Sequence, residues 1–575
     1  MGPSRRKAPD YAGAAAGLLV LAGLLLAGEA LVRGFWGPPA AAIEGPGSDF
    51  DYFHLEIHEP FFARTWMGRL RAQRSRANPE ELAALKPEGL LRVFVLGGSV
   101  AMPLADEQKS RLGEFLRRAL PGRRVEVVGM GMGGYDSYRE SLLQREALEL
   151  EPDLIVLLSG NNEYTSGAPI RSPALYRLNR ALRRSALYAR LQDRLSPRRP
   201  EPPVSLDDRL QRFEDNLELM ARRARERGVP MLLCTLPVNV RDVAPVYAQY
   251  SPDPAYVEAW LAYDAGALKE AKARFEDFVA AHPKDALGAY WLAKIHDRLG
   301  DAAAARAGYH RAIDLDDPGD RCSPRRNAVI RQVAARGSAG LVDLEAVFTR
   351  RVPDGLLDSR LFKDNVHWFD ELYPAVSLAI VKAARERGYL APAEQWDASW
   401  MPALERELAR AKVPRPRLAQ YAEAAFFVGV TNAYRAQGMR EPAISFFEMA
   451  PRLDPGAPAR LAASADGVGA AIRANPWTAY YRERFEAGWP HVLLHVGEAC
   501  RRMGLREDAR RLLSEAARLR PEDPVAPFAL ALLNGDRAEL ARIAADAREP
   551  VLANAARLSL ARLGAPARAG NGLRR

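Results

Sequence analysis

Apolar residues fall along this chain in three patterns. The first is an uncharged run, AGAAAGLLVLAGLLLAG, over residues 12–28. The second is a set of five short apolar runs bounded mostly by Gly or Pro: RVFVLG (92–97), RVEVVG (124–129), DLIVLLSG (153–160), PMLLCTLP (230–237) and GLVDLEA (340–346). Runs of this length read as buried strands. Stretches with helical apolar spacing separate them, as in DEQKSRLGEFLRRAL after the first. Strands alternating with helices predict a doubly wound parallel five-stranded sheet, an α/β fold.

The third pattern is periodic. Gly266 and Gly300, Ala271 and Ala305, and Phe275 and Tyr309 each lie 34 residues apart, and Pro283 is nearly matched by Pro318. Gly438, Ala443, Phe447, Ala450 and Pro455 repeat the offsets, as do Gly504, Ala509, Leu513, Ala516 and Pro521. The glycine makes a turn between two helices, the alanine lets them approach, and the proline ends the second. This period resembles the tetratricopeptide repeat. Such arrays present surfaces to peptides and proteins, so a protein partner is expected through them.

These patterns divide the chain into a signal anchor or transmembrane helix (1–36) and a linker and juxtamembrane segment (37–87) that opens with GPPAAAIEGPG. The α/β domain follows in two parts, 88–250 and 320–392, around an all-α repeat insertion at 251–319, and 393–575 forms C-terminal helical repeats. Extended to Val32, the first apolar run reaches the length that spans a bilayer. Arg5, Arg6 and Lys7 precede it and only Arg33 follows closely. The positive-inside rule then leaves the N-terminus cytoplasmic and the rest extracytoplasmic, or periplasmic. A cleaved signal peptide is the second choice. In the segment 168–200, Leu175, Leu178, Leu182, Leu187, Leu191 and Leu195 line one side, with arginines on the other. It reads as a lid or cover over the fold, with contact to anionic lipid as the alternative.

The net charge of +10 is spread along the chain, and no nucleic-acid-binding module is recognisable, so no nucleic-acid partner is expected. Cys234, Cys322 and Cys500 are too widely spaced for a zinc motif or a disulfide framework. No metal and no cofactor is expected.

The candidate chemistry gathers at strand ends, where open α/β sheets bind ligands. Gly97 and Gly98 bring the first strand to Ser99. VVGMGMGGYDS follows the second strand, with Gly134, and LSGNNEY follows the third, with Asn162. LFKDNVHWFD follows the fifth, with Asp364 three residues before His367. Taken singly, each residue has a plain structural role: Ser99 as a helix cap, Asn162 as a turn residue, Asp364 as an N-cap, His367 as a loop or core residue. Together they supply a nucleophile, a base, a carboxylate that orients the base, and oxyanion donors from Ser99 N–H, Gly134 N–H and the Asn162 amide. PVNVRD, after the fourth strand, adds Asn239 and Arg241 as candidate substrate contacts.

The order Ser, Gly, Asn, His across four blocks resembles the SGNH hydrolases, also called GDSL esterases and lipases, of the membrane-anchored bacterial type with tetratricopeptide repeats. The first block, usually Gly-Asp-Ser, is Gly97-Gly98-Ser99 here. The third, usually Gly-x-Asn-Asp, is Gly160-Asn161-Asn162-Glu163, and the last, Asp-x-x-His, is Asp364-Asn365-Val366-His367. Gly98 and Glu163 therefore depart from the pattern, with expected effects on loop packing and substrate choice. The resemblance implies a flavodoxin-like sheet and an ester hydrolase with Ser99, His367 and Asp364 as catalytic residues. Its substrate would be an ester, with envelope polysaccharide or lipid suiting the location. Two alternatives stand beside it: an O-acyltransferase that passes the same acyl group to a sugar hydroxyl, and a repeat scaffold whose hydrolase domain is inactive.

Overall fold

The computed structural model describes residues 20, 22–31, 61–64, 69–72, 82–163, 182, 185, 187–188, 191, 205–248, 250–251, 253–317, 319–435, 440–463, 466–475, 488–546 and 550–564. Two compact units divide the chain, one of residues 1–56 and 166–208 and one of residues 57–165 and 209–575.

In the larger unit the apolar runs become strands β4 (Leu90–Gly97), β5 (Arg124–Gly131), β6 (Leu154–Leu158), β7 (Met231–Cys234) and β8 (Gly340–Val342). They pair in parallel in the order β5-β4-β6-β7-β8. Val93 to Leu96, Leu154 to Leu158 and Met231 to Leu233 are buried throughout, as expected of strands covered on both faces. The fifth predicted strand is shorter than its apolar run. Asp343 accepts the N–H of Ala346 and starts a helix over Leu344–Thr349, which ends the strand at Val342.

The chain moves from β4 outward to β5, then returns across β4 to β6, β7 and β8. Right-handed crossovers then place the helix after β4 opposite those after β5, β6 and β7. Helix α1 (Leu112–Ala119) packs with Tyr373–Glu386, which follows β8. Helix α2 (Ser137–Leu148) packs with α3 (Leu206–Glu226): Gln144 donates to Met220 O at 2.6 Å and Arg223 to Ser141 O at 3.2 Å. The reversal of direction at β4 is a topological switch point, with the carboxyl ends of β4, β5 and β6 side by side.

A second sheet was not foreseen. Short antiparallel strands β1 (Phe62–Arg64), β2 (Arg69–Ala72) and β3 (Leu82–Ala83) form inside the segment expected to be linker. Polar bonds fasten it to the α/β domain. The Glu146 carboxylate accepts the N–H groups of Phe61 and Phe62 at 2.8 and 2.9 Å. The buried guanidinium of Arg92 donates to Ala83 O and Leu150 O, both at 3.0 Å.

Four helices, α4 (Pro254–Asp264), α5 (Leu268–Ala281), α6 (Ala286–Arg298) and α7 (Ala302–Leu315), form the insertion between β7 and α8 (Pro324–Ala335). Gly266 and Gly300 turn at φ +75° and +86°, and Ala271, Ala305, Phe275 and Tyr309 are buried. Helical hairpins recur in the C-terminal part: α9 (Arg415–Arg435) with α10 (Arg440–Leu453), and α11 (Trp489–Arg502) with α12 (Arg506–Leu519). Ala443, Phe447, Ala509 and Leu513 are buried there as their insertion counterparts are. Gly438 and Pro318 lie outside the described residues. The last helices fold back on the insertion, where Phe528, Leu540, Ile543 and Ala556 pack with Val257 and Leu261 of α4.

In the smaller unit a helix runs over 22–31, with Leu24, Leu25, Leu26 and Leu31 exposed. The Glu29 carboxylate accepts from Ser185 Oγ at 2.7 Å and Leu187 N at 2.9 Å. Among the described residues no helix is long and apolar enough to cross a membrane. Most of the run 12–28, the residues Arg5–Lys7 and most of the expected cover at 168–200 lie outside the described residues.

Candidate active site

Close backbone packing at two strand ends positions the Ser99 turn. At the end of β4, Gly97 has φ +148°, and a Cβ there would meet Leu158 O at 2.3 Å. At the end of β5, a Cβ on Gly131 would meet Met102 N at 2.8 Å. Glycine at both positions lets three strand ends and the Ser99 turn crowd together. Ser99 opens a 3₁₀ turn over Ser99–Ala105, pinned from behind where Tyr373 Oη donates to Val100 O at 3.0 Å.

The base comes from a tight reversal over residues 361–369. Lys363 N donates to His367 O at 2.7 Å, Phe369 N donates to Leu361 O at 3.0 Å, and Phe362 bridges Trp368. At the tip, Asp364 Oδ1 accepts the N–H groups of Val366 and His367 at 2.8 and 2.7 Å. Its Oδ2 lies 2.7 Å from His367 Nδ1, and His367 Nε2 lies 2.6 Å from Ser99 Oγ. An ionised carboxylate only accepts, so Nδ1 carries the proton and Nε2 faces the serine hydroxyl as acceptor.

The electrostatics fit that tautomer. Burial disfavours charge on both partners, yet the attraction between them outweighs it. Asp364 is held below the ordinary carboxylate value by His367 and by the two backbone N–H groups, and His367 is raised above its ordinary 6.5 by Asp364. Asp364 thus favours the charged form of the imidazole in place.

Asn162 stands beside the nucleophile. A Cβ on Gly98 would meet Asn162 Nδ2 at 2.5 Å and Tyr135 O at 3.5 Å. Asn162 Nδ2 donates to Tyr135 O at 2.9 Å, and Gly134, at φ +74°, precedes Tyr135. The Ser99 turn, the Gly134 turn and Asn162 therefore meet in one place, as their positions in the sequence predict.

Three candidate substrate contacts are occupied otherwise. Glu163 is buried, and its carboxylate accepts from Ser137 N at 3.0 Å and Ser137 Oγ at 2.9 Å. Asn239 is fully buried; it donates from N to Asn365 O at 3.0 Å and from Nδ2 to Asp364 O at 3.3 Å, buttressing the base loop from beneath. Arg241 reaches Asp297 of α6 at 2.6 Å, Asp354 at 3.1 Å and Asp358 at 3.3 Å. It lines a cleft of about 880 Å³ between the insertion and the C-terminal helices, with Lys294, Glu448, Arg452 and Arg502, and Ser99, Asp364 and His367 do not line this cleft. Gly98, the fourth candidate, does sit at the site, but as the space that Asn162 fills.

The buttresses Asn239 and Tyr373 were missed as such, because nothing local in PVNVRD or in the start of a helix announces a partner more than a hundred residues away. Phe369 was missed likewise: it is buried against Tyr421 of α9, with ring centroids 5.0 Å apart. Cys234, Cys322 and Cys500 are free and buried, and burial pushes all three thiols up, Cys500 to about 12. Among the described residues no group of three or more His, Cys, Asp or Glu is arranged to hold a metal ion.

No family model and no curated protein sequence matches the chain. Among solved structures, a GDSL-like lipase from Bacteroides thetaiotaomicron is similar at 16% identity over 53% of this chain and 93% of its own, with a TM-score of 0.25. An acetyl xylan esterase, AlAXEase, is similar at 15% identity over 51% and 99%, with a TM-score of 0.28. An acetylxylan esterase from Geobacillus stearothermophilus is similar at 14% identity over 53% and 97%, with a TM-score of 0.25.

Proposed function

We propose that this chain is a serine ester hydrolase of the SGNH type. The observation that carries the reading is the unbroken chain Asp364 Oδ2–His367 Nδ1 and His367 Nε2–Ser99 Oγ, at 2.7 and 2.6 Å, at the switch point of a parallel sheet. His367 Nε2 takes the hydroxyl proton as Ser99 Oγ attacks the ester carbonyl carbon. The carbonyl oxygen, now an anion, is held by Ser99 N–H, Gly134 N–H and the Asn162 amide, donors of the kind that contribute most to acyl transfer. His367 then protonates the departing alkoxide. Water, deprotonated by the same nitrogen, attacks the acyl-serine and releases the acid. Asp364 stays ionised throughout and keeps the imidazole in its working tautomer.

The N-terminal apolar run after Arg5, Arg6 and Lys7 supports a membrane anchor with the larger unit outside the cytoplasm. The helical hairpins, 34 residues apart in the insertion and with the same internal offsets in the C-terminal part, support tetratricopeptide-like repeats that engage a protein partner. Ester groups on envelope polysaccharide or lipid are the substrates we assign to that setting.

The test is covalent labelling of the purified protein with a fluorophosphonate probe, run beside Ser99→Ala and followed by release of acetate from acetyl esters. Labelling and hydrolysis that both vanish in the variant establish the activated serine. A folded wild-type protein that neither labels nor hydrolyses refutes the reading and leaves the helical repeats as the working part.

A further inference from the structure

The departure at Glu163 has a structural consequence. Behind the Gly134 turn lies a buried group of carboxylates: Asp136, Glu140 and Glu163 are each nearly inaccessible. Asp136 caps α2 through Arg139 N at 3.0 Å and pairs with the Arg139 guanidinium at 2.7 Å. Glu163 reaches the next residue of the same turn, taking Ser137 N and Ser137 Oγ on its two oxygens. Ser137 Oγ also accepts from Asn216 Nδ2 of α3 at 3.0 Å. The segment 134–137 is therefore held at consecutive residues: Tyr135 by Asn162, Asp136 by its own cap, and Ser137 by Glu163. Asn162 and Glu163 are neighbours in sequence, so one short loop holds the turn at two points.

We propose that Glu163 is a positioning residue for the oxyanion donors: its ionised carboxylate holds the turn that carries Gly134 in register with Asn162. The inference rests on the ester-hydrolase reading. Both carboxylate oxygens act as acceptors, one for an N–H that can only donate. A charged acceptor at the first turn of a twelve-residue helix is also favoured by the helix dipole. Protonation turns one oxygen into a donor. Ser137 Oγ must then accept from both Glu163 and Asn216, and two charge-assisted bonds become neutral ones of about half the strength.

Burial, then the charge of Asp136, push Glu163 up to about 7, against a lowering by Arg326 of α8 and by Ser137. Glu140 is pushed well above the ordinary range by burial and then by the charge of Glu163. The other titratable and charged groups acting with Glu163 are Asp136 at the start of α2, itself paired with Arg139, and Arg326 and Cys322. Two protons thus govern the acid limb of activity, one on His367 and one on Glu163.

Glu163→Gln imitates the protonated acid at every pH, because its amide keeps one acceptor and turns the other into a donor. The experiment is a pH–rate profile of ester hydrolysis for the full chain and this variant. Expected for Glu163→Gln are a tenfold or greater loss in kcat near pH 8, KM unchanged within twofold, and an acid limb that falls with one proton where the wild type falls more steeply. Thermal unfolding supplies a readout with the opposite sign. An acid raised in the folded state costs stability as pH rises from its ordinary value to the raised one. The melting temperature of Glu163→Gln relative to wild type should therefore climb between pH 5 and pH 8. Ser137→Ala removes one of the two bonds and keeps the carboxylate. It should lose kcat two- to fivefold with the steep limb intact, and it serves if Glu163→Gln does not fold. An active wild type whose Glu163→Gln variant keeps full kcat and the steep limb overturns the positioning role and leaves the hydrolase reading standing. So does a Ser137→Ala variant with full kcat where Glu163→Gln is unfolded. A wild type without hydrolysis overturns both.

Discussion

Where Gly97 in the nucleophile block is crowded by backbone, Gly98 is crowded by a side chain. The residue lies at φ −75° and ψ −157°, a backbone any amino acid adopts, so alanine there is not strained. What alanine meets is Asn162, whose Nδ2 lies 2.5 Å from the position of the new Cβ, when ordinary contact begins near 3.4 Å. The amide must retreat by about 1 Å, the difference between those two distances. An oxyanion donor works over a window of roughly 2.7–3.1 Å, and loss of one donor lowers kcat about 10²–10³-fold, equivalent to about 2.7–4 kcal/mol. The fold yields cheaply, because the displaced atom is the end of a side chain. Its bond to Tyr135 O, at 2.9 Å, is worth about 1 kcal/mol. Gly98→Ala should therefore melt within a few degrees of wild type while losing kcat about 100-fold on a small acetyl ester. The assay is a double-mutant cycle with Asn162→Ala. Each single variant should show the same loss, and the double variant should be no worse than Asn162→Ala alone, since with the amide gone the methyl at 98 has space. Gly98→Ala within threefold of wild-type kcat, or a double variant that loses the product of both factors, refutes the assignment of Asn162 as an oxyanion donor crowded against residue 98.

Asp364→Asn should lower kcat on the order of 10⁴-fold by releasing the imidazole tautomer. It should also move the residual acid limb to lower pH, because His367 loses the partner that raises it while burial still lowers it; a pH–rate profile checks both. The same change removes a carboxylate held below its ordinary value. Its contribution to stability is present above pH 3.8 and lost as pH falls through the lowered value, so the variant's deficit in melting temperature should shrink at acid pH. Arg241→Ala should leave KM within twofold of wild type. It should cost about 1.5–3 kcal/mol of stability by leaving Asp297, Asp354 and Asp358 facing one another, measured by denaturant unfolding. A large KM effect without destabilisation would restore Arg241 as a substrate contact.

Much of the α/β domain was legible because buried parallel strands are continuous apolar runs, and the site was legible because its parts sit at the ends of those runs. Ser99, Gly134, Asn162, Asp364 and His367 come together through that rule alone, although 268 residues separate Ser99 from its base. The small antiparallel sheet was not legible. FAR and RLRA are short, half-polar and without period, and the residues that fasten the sheet, Glu146 at Phe61 and Phe62 and Arg92 at Ala83, lie beyond it in sequence. The strand at 340–346 was overextended because Leu344 and Ala346 are apolar, and the cap made by Asp343 carries no apolar signature. Arg241, Asn239 and Glu163 were visible as polar residues at strand ends, where substrate contacts and internal fasteners share one composition. Only the partners distinguish them: carboxylates for Arg241, the base loop for Asn239, and Ser137 for Glu163.

The C-terminal helices are not an appendage to this site. Phe369 leaves the base loop two residues after His367 and enters the core of the C-terminal helices beside Ala422 and Phe426. Lys363, next to Asp364, pairs with Asp370 at 2.5 Å and lies 5.2 Å from the ring centroid of Tyr421. The turn that buttresses Asp364 through Asn239 continues to Asp242, which pairs with Arg452 of α10, and to Ala244, whose N–H donates to Ser445 Oγ at 3.1 Å. Both segments that set the carboxylate and imidazole therefore end in the helical part. The hydrogen-bonded chain of 2.7 and 2.6 Å therefore joins a serine at a strand end to a base loop packed on the C-terminal helices. Ser99 sits at the end of a sheet strand, and the loop of His367 packs on the C-terminal helices through Phe369 and Lys363.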